Sequence, residues 1–144
     1  PCPVLMVPRA AAMWSHRILL ATDGSDQGRA ATQVALDLAR DCQLPVTLVS
    51  VTTRSHGTER KAEAQAALDQ ALAALKAAGI DSEALMGEGS PDQVVVETAN
   101  NRQADLIVVG SHGRGGLSRL LLGSVSERIM GQAQCPVLIV PGKR

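Results

Sequence analysis

The strongest constraint on this chain is a repeated alternation of short apolar runs with alanine-rich segments of helical spacing. Arg17-Ile18-Leu19-Leu20-Ala21-Thr22 reads as a buried strand, and the turn residues Asp23-Gly24-Ser25-Asp26 follow it. Residues 27–42 then place Ala31, Val34, Ala35, Leu38 and Ala39 on one helical face. Residues 46–51 form a second strand rich in β-branched side chains. Residues 59–78 carry Ala64, Ala67, Leu68, Ala71, Leu72 and Leu75 at helical spacing, and Gly79 suits the position just past the helix end. Residues 81–86 read as a weaker third strand. Ser90-Pro91-Asp92-Gln93 has the form of a capping box with proline at the first helical position, opening a helix that runs to about residue 102. Leu106-Ile107-Val108-Val109 is apolar at every position, as a strand covered on both faces must be. A glycine-rich loop, a short helix from near Ser124 and a closing strand within residues 135–141 complete the chain. Strand–helix units joined by short connections predict an α/β fold, an open, doubly wound parallel sheet with helices on both faces. Ligands of such sheets bind beyond the carboxyl ends of strands, where strand order reverses. The segments after the first and fourth strands are therefore the ones to search.

Composition narrows the partners. With 144 residues the chain suits one ordinary domain, and 14 basic residues balance 14 acidic ones. Zero formal charge provides no field to gather nucleic acid or anionic lipid. Phe and Tyr are absent and Trp14 is the single aromatic residue, so there is no base-stacking platform and no nucleic-acid partner is expected. Cys2, Cys42 and Cys135 have no metal-ligand spacing and no even framework, which fits a reducing cytoplasm. Cys42 and Cys135 read as small buried hydrophobes. No apolar run reaches the roughly 18 residues of a membrane span, and the opening apolar segment is broken by prolines, unlike a signal peptide.

One heptapeptide occurs twice. Cys2-Pro3-Val4-Leu5-Met6-Val7-Pro8 matches Cys135-Pro136-Val137-Leu138-Ile139-Val140-Pro141 except at Met6 against Ile139. The two lie about one domain length apart, so residues 1–12 read as the closing strand of a preceding copy plus a linker, and residues 13–144 as the domain proper. The closing strand, Val137 to Val140, is apolar and at a sheet edge, and edges of that kind need a cover. Antiparallel pairing with the same strand of a second copy would supply it, giving a homodimer. The repeated strand, Pro3 to Val7, is expected to be able to occupy the same edge.

The segment from Gly110 to Ser124 carries the chemistry. Gly110 and Gly113 follow a buried strand, and their missing side chains let backbone N–H groups approach a ligand. Gly123-Ser124-Val125 opens the next helix, whose unpaired N–H groups and partial positive charge suit phosphate. The hydroxyls of Ser124 and Ser126 could add donors, and Arg114 and Arg119 could reach an anion's outer oxygens. This is neither a P-loop, which needs G-x-x-x-x-G-K-[ST], nor the dinucleotide fingerprint G-x-G-x-x-G. The spacing Gly110-x2-Gly113-x9-Gly123-Ser124 resembles that of ATP-binding members of the universal stress protein family. The resemblance extends through Ile18-Leu19-Leu20-Ala21-Thr22-Asp23-Gly24-Ser25, Asp105 to Gly113, Gly123-Ser124-Val125-Ser126-Glu127 and the closing strand, covering nearly the whole chain.

The resemblance implies a five-stranded parallel sheet in the order 3-2-1-4-5 and dimers through the last strand. It implies that Ala21, Thr22 and Asp23 end the first strand beside the nucleotide and that Val51 contacts adenine. Val109, Gly110 and Gly113 would line the base and ribose side, and His112 and Arg114 of the same loop are counted among the nucleotide-binding residues. Gly123, Ser124, Val125 and Ser126 would hold the phosphates of ATP, ADP or AMP, with magnesium bridging them. Asp23 is read as a helix cap, a ribose contact or a metal contact, and these roles stay open. His112 has no nucleophile or acid placed beside it by sequence, so it is read as a loop hydrogen-bonder, not a catalytic base. Three functions compete: a nucleotide-binding stress-response module that hydrolyses ATP slowly if at all, an adenylyl-transfer or kinase enzyme, and a ligand-free dimer module. The first is expected, because no dedicated base, no arginine finger and no insertion for a second substrate pocket is visible.

Overall fold

The computed structural model describes residues 3–9, 11–23, 26–53, 55, 57–111 and 124–141. Its elements in chain order are β1 (Val4–Met6), β2 (Ile18–Ala21), α1 (Asp26–Cys42), β3 (Val46–Thr52), α2 (Thr58–Ala77), β4 (Ser82–Glu88), α3 (Pro91–Asn101), β5 (Leu106–Gly110), α4 (Ser124–Gln132) and β6 (Val137–Val140). The sheet order is β1-β6-β5-β2-β3-β4. Pairs β2–β3, β2–β5, β3–β4 and β5–β6 are parallel, and β1 runs antiparallel to β6. This corrects the expectation of five parallel strands: the sheet is mixed and six-stranded. The physical reason is the open edge of β6, which β1 covers with Val4 opposite Ile139, Leu5 opposite Leu138 and Met6 opposite Val137.

Period-two alternation assigns the strands to two cores. Ile18, Leu20, Val46, Leu48, Leu106 and Val108 face α1 and α2, whereas Leu19, Val49, Ile107, Val109, Val137 and Ile139 face α3 and α4. Ala31, Ala35 and Ala39 of α1 are buried against the first face, and their small side chains let the helix lie close to the sheet. On α2 the buried residues are Ala64, Leu68, Ala71 and Leu75, one helical stripe. Burying Leu68 and Leu75 contributes about 2 kcal/mol each. Ala67 and Leu72, also expected on that face, are half-buried at its flanks.

Helix α2 ends as Gly79 predicts. Gly79 has φ +78°, its N–H donates to the Lys76 carbonyl at 3.0 Å, and the Ile80 N–H donates to the Leu75 carbonyl at 3.0 Å. Helix α3 closes the same way on a non-glycine residue: Gln103 has φ +58°, and the Ala104 N–H donates to the Ala99 carbonyl at 2.8 Å. Two local expectations fail. The Ser90 hydroxyl does not cap α3 but donates to Asp92 Oδ1 at 2.6 Å, because Asp92 is buried and needs partners. Cys42 is exposed, not buried: it is on the same helical face as Ala31, Ala35 and Ala39 but is the last residue of α1 and takes no part in their core.

Candidate functional site

β2 lies between β3 and β5, so strand order reverses at its carboxyl end. Thr22 continues the ladder briefly, its N–H donating to the Val49 carbonyl at 3.1 Å. The first turn of α1 then approaches closely. A Cβ on Gly28 would stand 3.0 Å from both Thr22 Oγ1 and Asp23 Oδ1, so the absent side chain sets how near the helix comes to the strand end. On the neighbouring strand Val109 is buried and Gly110 half-buried, and the Ser111 N–H donates to the Val140 carbonyl at 2.9 Å.

Helix α4 returns to this place. Ser124, its first residue, is exposed, Val125 is half-buried and Ser126 is buried. The Ser126 hydroxyl donates to the Gly110 carbonyl at 2.8 Å. This bond clasps α4 to the end of β5, a role for Ser126 beyond the phosphate contact the sequence suggested. The first-turn N–H groups of α4 have no acceptor within the helix itself, as at any helix start.

The other end of α4 is also fixed. Gln132 donates to Asp92 Oδ2 at 2.7 Å, while Ser90 donates to Oδ1. The hydrogen bonds from Ser90 and then Gln132 hold the Asp92 carboxyl below its ordinary value of 3.8, against the opposing pull of burial. Asp105, at the amino end of β5, accepts from the N–H groups of Ser15, His16 and Arg17 at 2.6, 3.0 and 3.0 Å. This pins the segment that leads into β2. The Cys135 thiol is pushed up to about 11 by burial and by the charge of Asp105, so it stays protonated at neutral pH.

The expected residues therefore divide. Ala21, Val51, Val109 and Val125 border the core under α3 and α4, with Gly110 beside them. Thr22 instead reaches a cleft of about 410 Å³ between α1 and α2, lined also by Arg29, Thr32, Glu63 and Gln70. His112, Gly113, Arg114 and Gly123 lie outside the described residues. Among the described residues no three His, Cys, Asp or Glu side chains converge as a metal site, and no helix is long and apolar enough to cross a membrane. Sequence reasoning missed Gly28, the Ser126 clasp and the Asp92–Gln132 bridge. A glycine within the first turn of a helical pattern was the one available signal, since such a residue often marks a close approach.

The sequence and the fold are shared by known proteins. The sequence profile of the Universal stress protein family matches residues 15–141. Universal stress protein MJ0531 of Methanocaldococcus jannaschii is 36% identical over 137 residues, covering 86% of this chain and 81% of the relative. Universal stress protein YxiE of Bacillus subtilis is 31% identical over 145 residues, covering 87% of this chain and 98% of its own length. The solved structure of a universal stress protein in complex with cAMP superposes with a TM-score of 0.71 at 30% identity, covering 90% of this chain and 98% of that one. A profile match across almost every element, with relatives this similar along most of their length, leaves one conclusion: the chain belongs to the universal stress protein family.

Proposed function

We propose that this protein binds an adenine nucleotide, ATP, ADP or AMP, with magnesium, beyond the carboxyl ends of β2 and β5, and acts as a stress-response regulatory module. The observation that carries this reading is the meeting of the side-chain-free Gly110 with the first turn of α4 at the reversal point of the sheet. A related protein of 30% identity was solved with cAMP, which shares the adenine and ribose of ATP. In this reading Ala21, Asp23, Val51, Val109 and Gly110 border the base and ribose. Ser124, Val125 and the backbone of α4 hold phosphate, together with Gly113 and Gly123. The residues fit such a ligand: the strand ends offer small or apolar surface and the start of the helix offers N–H donors. Magnesium would be held mainly by phosphate oxygens, neutralising their charge. The module is not a dedicated enzyme in this account, and any hydrolysis is slow, below about one turnover per minute.

The same reading places the protein in the cytoplasm, treats residues 1–12 as the closing strand and linker of a preceding copy, and assigns self-association to Val137–Val140. The test is chemical. The purified protein is denatured and released nucleotide is identified by mass spectrometry, beside a Gly123→Val, Ser124→Ala variant. ATP or ADP from the parent and none from the variant is the expected result. No nucleotide from either, with no heat of binding on titration with magnesium-ATP, would make the ligand-free dimer module the better account.

A further inference from the structure

Gly87 stands near the carboxyl end of β4. A glycine inside a strand weakens it, and often marks a place where another group must come close. Among the described residues the glycines with positive φ are Gly79 and Gly89, so the backbone at Gly87 does not itself require glycine. The space does. A Cβ on Gly87 would stand 2.5 Å from Val94 Cγ1, nearer than such atoms come. Two residues on, a Cβ on Gly89 would stand 3.5 Å from Val94 Cγ2, and the Gly89 N–H donates to the Thr52 carbonyl at 2.9 Å. One methyl of Val94 is therefore seated on Gly87 and the other beside Gly89.

Val94 is firmly held. In the first turn of α3 its N–H donates to the Ser90 carbonyl at 3.0 Å, and its own carbonyl accepts from the Thr98 hydroxyl at 2.7 Å. Valine in a helix has one strongly preferred rotamer, so the side chain does not swing aside. Two residues earlier, Asp92 is tied to Gln132 of α4 at 2.7 Å. The neighbour of this valine is Val51. Gly87 pairs with Val51 in the parallel register of β3 and β4. Alternation along the strands puts both on the face under α3 and α4, where Val51 and Val94 pack at the border of the same core. Both valines are half-buried, so each keeps some accessible surface, and neither side chain carries a donor or an acceptor.

We infer that Val94, seated on Gly87, is a specificity-determining residue of the nucleotide site: it extends the apolar surface of Val51 into a wall against the base and favours adenine over guanine. The inference rests on the reading given above, in which Val51 borders the base. Guanine carries a carbonyl, a ring N–H and an amino group where adenine has an amino group, a ring nitrogen and an apolar C–H. Against two valines the extra polar groups of guanine lose water and gain no side-chain partner. Val94 stands between the base and β4, so β4 itself is not touched.

Titration calorimetry of the full chain with magnesium-ATP, AMP and magnesium-GTP tests this, beside Val94→Ala, Gly87→Ala and the double variant. The parent is expected to bind GTP at least about tenfold more weakly than ATP. Val94→Ala should weaken ATP and AMP by one common factor, about threefold to tenfold, because they share the base, and should narrow the gap to GTP. Gly87→Ala should weaken both by displacing Val94. In the double variant the new Cβ meets the Cβ of residue 94 at 3.8 Å, an ordinary contact, so the loss should be smaller than the two single factors multiplied. Equal affinity of the parent for ATP and GTP overturns the inference. So does a Val94→Ala protein that binds ATP as the parent does, or one that weakens ATP and AMP by unequal factors, which would place the disturbance at the phosphates. A parent that binds neither ATP nor AMP overturns the underlying reading, and this inference with it. If Gly87→Ala fails to fold, Val94→Ala decides alone, since it removes only two methyl groups at a half-buried position.

Discussion

Replacing Asp92 by Asn should loosen the far end of the helix whose N-terminus faces the proposed ligand. Asp92 is 4% exposed and accepts from Ser90 at 2.6 Å and Gln132 at 2.7 Å, joining the start of α3 to the last residue of α4. An amide keeps the volume but presents one acceptor where the carboxylate has two, and removes the charge from both bonds. Hydrogen bonds to charged groups contribute about 1.5–3 kcal/mol each, so losing one and weakening the other should cost about 2–3 kcal/mol. For a domain of this size that lowers Tm by roughly 5–10 °C. The dependence on pH is equally specific. A carboxyl held below its ordinary value of 3.8 contributes stability that is fully present above that value and is lost as pH falls through the lowered one. Urea unfolding followed by circular dichroism should therefore show a constant gap between parent and variant from pH 7 to about pH 5, closing at lower pH. A gap under about 0.5 kcal/mol at pH 7, or one that widens on acidification, would refute the assignment of Asp92 as a charged bridge.

Further predictions follow from the same geometry. Gly79→Ala, at φ +78°, should destabilise by about 1 kcal/mol, while Gln103→Gly at φ +58° should stabilise by up to about 1 kcal/mol, both read from urea midpoints. Asp105→Ala removes the acceptor of three backbone N–H groups and should cost about 1–3 kcal/mol, with faster hydrogen exchange at Ser15, His16 and Arg17. In a Cys2→Ser background a disulfide reagent at neutral pH should titrate Cys42 rapidly and Cys135 only on unfolding, because the Cys135 thiol is partly buried and pushed up to about 11.

Much of this architecture was legible because it rests on periodicity. The uninterrupted run Leu106 to Val109 marks a strand covered on both faces, and the stripe of Ala64, Leu68, Ala71 and Leu75 marks a helix on a sheet. Gly79 announces its own backbone angle. The sixth strand came from a repeat, not from periodicity, and what direction and register it would take could be drawn only from pairing with the closing strand. Long-range polar contacts were not legible. Ser126 has the same signature whether it meets phosphate or the Gly110 carbonyl, and nothing local to Asp92 points to Gln132. Such partners are set by tertiary placement, which a local spacing rule does not contain.

The central claim is that an adenine nucleotide occupies the carboxyl ends of β2 and β5 against the first turn of α4. Backbone amide NMR of the labelled protein, titrated with ATP and magnesium, tests it most directly. The account predicts saturable shifts concentrated at Asp23, Val51, Val109 to Ser111 and Ser124 to Ser126, with little change along β1 and β4. Absence of saturable shifts there at millimolar nucleotide, or shifts centred in the cleft between α1 and α2, would contradict it.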